Sequence, residues 1–277
     1  MPQTRLAPAE YKAAKRTEQR ERIESATRAL LSSDGWRKWA ETRARFHSYS
    51  WGNCALIAMQ APEATQVAGF KAWQALGRQV RKGERSIRIM APMSVKQKDE
   101  SGDDTGERAM FFRAVPVFDV AQTDGEPLPE RPTAPIVGDS HARYLGPLKA
   151  HAGTLGFAVE YEPLEHARGY CDPAAKRIVI STNVGSANGQ VRVLIHELAH
   201  AHGVGYKEYG RSDAEVIVET AAVIVCGALG LDTSGESIPY IASWGEANDL
   251  EAIRKHAETV DQIATELERS CNLKGTR

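Results

Sequence analysis

The residues of this 277-residue chain best spaced for chemistry are His196-Glu197-Leu198-Ala199-His200. Residues four apart on a helix project to one side, so both imidazoles can reach one metal ion. Glu197 lies about 100° around the helix from His196, off the metal face but in reach of a water on the metal. That position suits the general base of a metal-assisted hydrolysis. Val191, Leu194, Ile195 and Leu198 share the opposite face, so the helix is expected to bury one side and turn its histidines into a cleft.

Catalytic zinc takes three protein ligands and a water. The third ligand is sought in Ser212–Cys226, an apolar run whose length favours a buried helix over a strand. Glu215 and Glu219 stand four apart in it. Two like charges on a buried helix repel and lose hydration unless a cation and a histidine N–H compensate them. Glu215 is assigned to the metal, and Glu219 to a hydrogen bond that holds a ligand imidazole in the correct tautomer. The alternative reads Ser212-x-x-Glu215 as a capping box, which would make Glu219 the ligand. His202 points well over ~100° away from the His196/His200 face and reads as a partly buried, hydrogen-bonded residue. Gly203 suits a left-handed helix stop. Where some His-Glu-x-x-His enzymes carry a third histidine after such a glycine, this chain has Tyr206. Tyr206, Tyr209 and Tyr240 are candidates to stabilise an oxyanion. The expected chemistry is peptide hydrolysis with one Zn2+ per chain on His196, His200 and Glu215, acidifying a water whose proton Glu197 takes and returns to the leaving amine. The strand Arg177–Ser181, just before the active helix, is expected to pair with an extended peptide by β-addition.

The elements that must position these residues divide into two domains, as the length suggests. A Pro- and charge-rich stretch, Asp124–Pro135, reads as a linker. The expected division is 1–125, a linker at 126–137, and 138–277, in an α+β class. Net charge is −1, but residues 1–100 hold 19 basic against 10 acidic side chains and residues 101–277 hold 16 against 26. A basic half suits a polyanion, and an acidic half disfavours nucleic-acid contact there. The four cysteines, Cys54, Cys171, Cys226 and Cys271, have no C-x-x-C spacing and read as free thiols of a reducing compartment. A charged helix follows the N-terminal residues in place of a secretory signal, and the longest apolar run is too short to span a bilayer. A cytoplasmic protein without membrane contact is expected.

In the first domain, helices are expected over about 9–31, 35–47, 52–60 and 69–76. Strands at 86–90 and 110–118 flank a polar loop at 96–107. Arg78, Arg81, Lys82, Arg85 and Arg88 supply five cations within eleven residues, following Phe46, His47, Tyr49, Trp51, Phe70 and Trp73. Cations interleaved with aromatics suit single-stranded nucleic acid, since they neutralise phosphates while rings stack on unpaired bases. The competing reading is a solvated charged turn beside core tryptophans.

Tyr49–Gln60, Val67–Trp73, Leu76–Glu84, Ile87–Pro92 and Val115–Thr123 closely resemble the N-terminal domain of ArdC-type antirestriction proteins. The second half resembles the same family's zincin-like metallopeptidase domain through His196–His200, Glu215–Glu219, Cys226–Leu231 and Tyr240–Trp244. The resemblance covers residues 10 to 265 or so. It implies a single-stranded-DNA-binding domain fused to a zinc peptidase-like domain, carried on mobile elements and protecting incoming DNA from restriction. Two functions of different class follow: a DNA-recruited metallopeptidase acting on an unknown protein substrate, or a non-catalytic DNA-shielding protein whose zinc is structural. Glu197 favours the first, because a structural site has no use for a base and closes with four protein ligands. A peptidase acting on a regulator, with the basic patch as mere surface, is the third.

Overall fold

The computed structural model describes residues 8–46, 48–98, 104–128, 136–232 and 250–273. His47, residues 129–135 of the expected linker, and Tyr240 with the segment to Trp244 lie outside the described residues. The architecture is α+β, in two compact units. One takes in the chain up to Ala26 and Ala55–Pro127, the other Thr27–Cys54 and the chain from Leu128 onward. One break, at 127/128, falls inside the expected linker at 126–137, and residues 27–54 cluster with the second unit.

The first unit carries most of α1 (Pro8–Ala29), where Glu18 and Arg22 form the expected i,i+4 pair at 2.9 Å. Its main feature is an antiparallel ribbon of β3 (Ile87–Lys98) and β4 (Asp104–Asp119), in register from Ile87↔Val117 to Lys98↔Asp104 with a shift near the far end. Both strands run further than expected into the polar stretch between them, because continued pairing satisfies backbone groups that a loop would leave to water. Ile87, Ile89 and Val117 are buried, while Arg88 and Pro116 on the other face are exposed, the period-two alternation of a half-buried ribbon. β1 (Val67–Ala68) pairs with the end of β4, and β2 (Arg78–Val80) with β5 (Thr123–Gly125). The Asp119 carboxylate accepts the N–H groups of Thr65 (2.9 Å) and Gln66 (3.0 Å), tying the preceding loop to the ribbon. Helix α4 (Phe70–Ala75) buries Trp73 beneath it. α3 (Trp51–Gln60) runs across the residue 54/55 division.

In the second unit, α2 (Ser33–Arg45), α6 (Ala187–Ala201) and α8 (Leu250–Ser270) pack around α7 (Tyr206–Leu229). The Val216–Cys226 run is helical, as its length required, and only Glu219 in it escapes full burial. Two side chains of α2, Trp36 and Arg43, bind it in by polar contacts. Trp36 Nε1 donates to Thr220 Oγ1 at 2.9 Å, and the fully buried Arg43 guanidinium reaches Glu268 (3.0 Å) and Asp261 (2.5 Å). An Arg fork meeting two carboxylates keeps a charge tolerable in an apolar interior. A three-stranded sheet, ordered β6 (Ala158–Glu162), β8 (Arg177–Ser181), β7 (Gly169–Asp172), lies against α6, with β6 parallel and β7 antiparallel to β8. The expected β-addition to β8 is thus corrected: β8 is the central strand, with both edges already paired. α5 (Leu145–Thr154) covers α6 and β6.

Candidate metal centre

Helix α6 starts where side-chain oxygens meet the amides that a first turn leaves unpaired. Ser186 Oγ accepts the Gly189 N–H at 3.2 Å and Asp139 accepts that of Ala187 at 2.7 Å. It stops at His202, and Gly203 follows at φ 93°, the left-handed exit expected there. Between these ends His196 and His200 come one turn apart on one face. Val191, Leu194, Ile195 and Leu198 are each 0% exposed on the other side.

One ligand atom from each of His196, His200 and Glu215 lies within 4.8 Å of the other two. Nε2 of His196 is 3.8 Å from one Glu215 oxygen, and Nε2 of His200 is 3.8 Å from the other. The rings are held from behind. His200 Nδ1 donates to the Val204 carbonyl at 2.8 Å, and His196 Nδ1 meets Glu219 at 3.0 Å. A carbonyl only accepts, so His200 carries its proton on Nδ1 and turns a lone pair on Nε2 inward; the Glu219 carboxylate does the same for His196. Burial works against a charge on Glu219, yet the His196 hydrogen bond and the Arg192 guanidinium hold its carboxyl below the usual carboxylate range. Burial also lowers His200, favouring the neutral ring. The capping-box arrangement of Glu215 is not the one found, since its carboxylate faces both histidines and accepts the Tyr206 hydroxyl at 2.5 Å. That bond, with lesser help from burial, pushes the Tyr206 phenol up to about 12.

Glu197 is 6% exposed. Burial raises its carboxyl to about 7, with His196 opposing and the Glu215 charge adding to the rise. Tyr206 thus stands at the cluster, whereas Tyr209 rests against His256 of α8, ring centroids 5.9 Å apart. Two residues here escaped sequence reasoning. Arg192 grips Glu219, and its spacing one turn before His196 was a readable signal. Gly169 is the other: a Cβ there would sit 2.6 Å from Val193 Cγ1 and 3.3 Å from Glu197 Cγ, so glycine lets strand β7 lie flush against α6. Cys171, also on β7, is raised to about 12 by burial and then by the Glu197 charge, which leaves an inert thiol. All four cysteines are free, as expected.

The residues read as contacting DNA part company. Trp73 is 1% exposed and donates Nε1 to the Phe118 carbonyl at 2.9 Å, so it cannot stack on a base, and that expectation is corrected. Arg78 is committed internally to Thr123 Oγ1 (2.8 Å) and to the carbonyls of Thr123 (3.0 Å), Gly125 (3.1 Å) and Glu126, bracing the β2–β5 pair. Arg81 is shared with Glu84 at 2.9 Å and Asp124 at 3.4 Å. Tyr49 and Trp51 fall in the second unit. Tyr49 is edge-on to Phe46 at 6.0 Å, and the Trp51 carbonyl accepts Trp39 Nε1 at 3.1 Å. Lys82, Arg85 and Arg88 are exposed. So are two rings: Phe70 at 46%, one of the aromatics read together with the cations, and Phe112 at 65%, which sequence reasoning did not single out for stacking. Among the described residues no helix is long and apolar enough to cross a membrane.

Fold and site define an α+β chain with a histidine–glutamate cluster of metal-ligand type on a helix pair. Residues 17–118 match the family described as the N-terminal domain of the anti-restriction factor ArdC. The chain also aligns with the crystal structure of the antirestriction ArdC protein from the R388 plasmid in its metal-free form: TM-score 0.55, 20% identity, 91% of this chain and 95% of that one. The Mn(II)-bound structure of that protein gives a TM-score of 0.53 at 18% identity, over 91% and 96%. An uncharacterized Bacillus anthracis protein, pXO2-81, is 26% identical across 88% of this chain and 50% of its own length, so the chain spans about half of that relative. The uncharacterized protein y4eC of Sinorhizobium fredii is 28% identical across 70% of this chain and 68% of its own. The resemblance to ArdC-type proteins is borne out, by family over the N-terminal part and by fold over most of the chain.

Proposed function

We infer that the chain is an ArdC-type antirestriction protein with two working parts: a metallopeptidase centre on α6 and α7, and a single-strand-DNA contact surface in the first unit. The convergence of His196 Nε2, His200 Nε2 and the Glu215 carboxylate beside buried Glu197 carries the first part. Two neutral imidazoles and a carboxylate form the donor set of an open catalytic zinc site. The ArdC of the R388 plasmid has been crystallised with Mn(II), and the same donors accept several divalent ions. A cation bound there would supply Lewis acidity that makes water nucleophilic near neutral pH. The protein's own residues do the rest. Glu197 takes a proton at its carboxylate and delivers it to the leaving nitrogen. Tyr206, whose hydroxyl donates to Glu215, would serve a developing oxyanion by turning that one proton away from the carboxylate. The β7 edge, brought against Glu197 by Gly169, is the sheet edge on which an extended peptide would lie.

For DNA, Lys82, Arg85 and Arg88 are the phosphate-neutralising cations, with Phe70 and Phe112 as stacking rings. Register supports the pairing of Arg88 with Phe112: Arg88, Met90 and Pro92 share a ribbon face with Pro116, Ala114 and Phe112. The test is Glu197→Gln in the full chain, with metal content and hydrolysis of a denatured-protein panel measured together. Retained metal with lost cleavage supports the enzyme. Retained cleavage overturns the role of Glu197, and no cleavage by either form leaves the DNA-shielding reading in its place.

A further inference from the structure

A second group of metal-ligating side chains lies on the other side of α6. His151 near the end of α5, His202 at the C-terminal cap of α6, and Glu266 on α8 bring one ligand atom each within 4.8 Å of the other two. The Nε2 atoms of His151 and His202 are 3.0 Å apart, with the rings stacked at 5.1 Å and 25°. His202 Nδ1 is 3.6 Å from Glu266. The same Glu266 accepts Gln262 Nε2 at 3.1 Å, and no lysine or arginine among the described residues pairs with it.

We propose that His151, His202 and Glu266 form a second divalent-cation site, of zinc type, independent of the centre on His196, His200 and Glu215. The residue types and reach carry it. Nitrogens bound at ~2.0–2.1 Å to a tetrahedral zinc stand about 3.3 Å apart, so a 3.0 Å Nε2 pair is nearly in place for a shared ion. Without a cation the two facing nitrogens satisfy each other only if one is protonated, and the carboxylate beside them has no cationic neighbour. The side chain of His202 is 8% exposed and that of Glu266 36%, so a water can complete the coordination from the Glu266 side. His202 sits two residues beyond His200, about 200° further round the helix, so α6 offers one donor set on each side. An ion at the second site would join three separate elements and fix the end of the helix that carries His200. The chain would then bind two ions, not one.

The experiment strips the full chain with chelator, reloads it with Zn2+, removes unbound metal and counts zinc per chain by elemental analysis. Wild type is expected to hold two, His151→Ala and Glu266→Gln one each, and His200→Ala one. The last should show a Zn2+-dependent rise in melting temperature that disappears when His151→Ala is added. Glu266→Gln keeps the side-chain shape, so it reads the site even if His151→Ala folds poorly. One zinc in wild type that vanishes in His200→Ala and persists in Glu266→Gln overturns the second site and leaves the first standing. One zinc that persists in His200→Ala and vanishes in Glu266→Gln supports the second site and removes the metal from the proposed catalytic centre.

Discussion

The α6–α7 helix pair and the segment Arg78–Arg88 are both dense in charged residues, yet the protein uses their charges in opposite ways. On the helix pair the ionisable groups are largely buried, and each is aimed by another: Arg192 holds Glu219, Glu219 holds His196, Val204 holds His200, and Tyr206 meets Glu215. In the segment, Arg78 and Arg81 are committed to carbonyls and carboxylates of the β2–β5 region, while Lys82, Arg85 and Arg88 extend into solvent. Buried charge must be matched where it stands, so its geometry is fixed. Exposed charge is matched by water and ions, so its geometry is free until a ligand arrives. The proposed chemistry at a point rests on the first region, and the proposed electrostatic contact along a surface on the second.

The largest expected effect breaks the first region without disturbing its fold. Glu197→Gln should lower turnover by about 10²–10⁴-fold while zinc content and melting temperature hold; an unchanged rate would remove Glu197 from proton transfer. Next comes a buried guanidinium to set against the exposed ones. Arg43→Met leaves Asp261 and Glu268 without their fork, and chemical denaturation should show a loss of about 3–5 kcal/mol. Trp73→Ala tests the correction made for the first unit. Removing a buried indole should cost about 3–5 kcal/mol in denaturation, whereas a base-stacking Trp73 would lose DNA affinity at unchanged stability. Glu219→Gln sharpens the comparison further. It removes only the partner of His196 and Arg192, so zinc affinity measured by chelator competition should fall about 10–100-fold, and an unchanged affinity would reduce Glu219 to packing. The smallest effects belong to the exposed cations. Lys82→Ala, Arg85→Ala and Arg88→Ala should each flatten the salt dependence of single-strand binding by about one unit of slope, leaving stability within about 0.5 kcal/mol. A slope that ignores all three would return the segment to a solvated surface.

Legibility followed the same division. His196, Glu197 and His200 were readable because one helix fixes their directions by periodicity alone. Glu215 and Glu219 were readable as a pair, since two carboxylates in an apolar helix demand compensation, but which faced the two histidines depended on how α7 meets α6. Arg192 was within reach, one turn before His196. Gly169 was not, because its importance is a close approach between strand and helix that has no local trace. Trp73 and Arg78 misled for a related reason: type and spacing do not reveal that Phe118 and Thr123 wait some 45 residues on to bind them.

What the sequence determined by itself was local: the helix that carries the metal-type motif, its left-handed exit at Gly203, the buried helix of Glu215, the free cysteines and the α+β class. What only the tertiary structure decided was every assignment that needs two distant segments. It drew residues 27–54 into the second unit through Trp36 and Arg43, made β8 central and β7 an edge, and gathered His151, His202 and Glu266 from three elements. The physical reason is that backbone periodicity is set by neighbours a few residues away, whereas burial and hydrogen-bond partners are set by packing, and packing is a property of the whole fold.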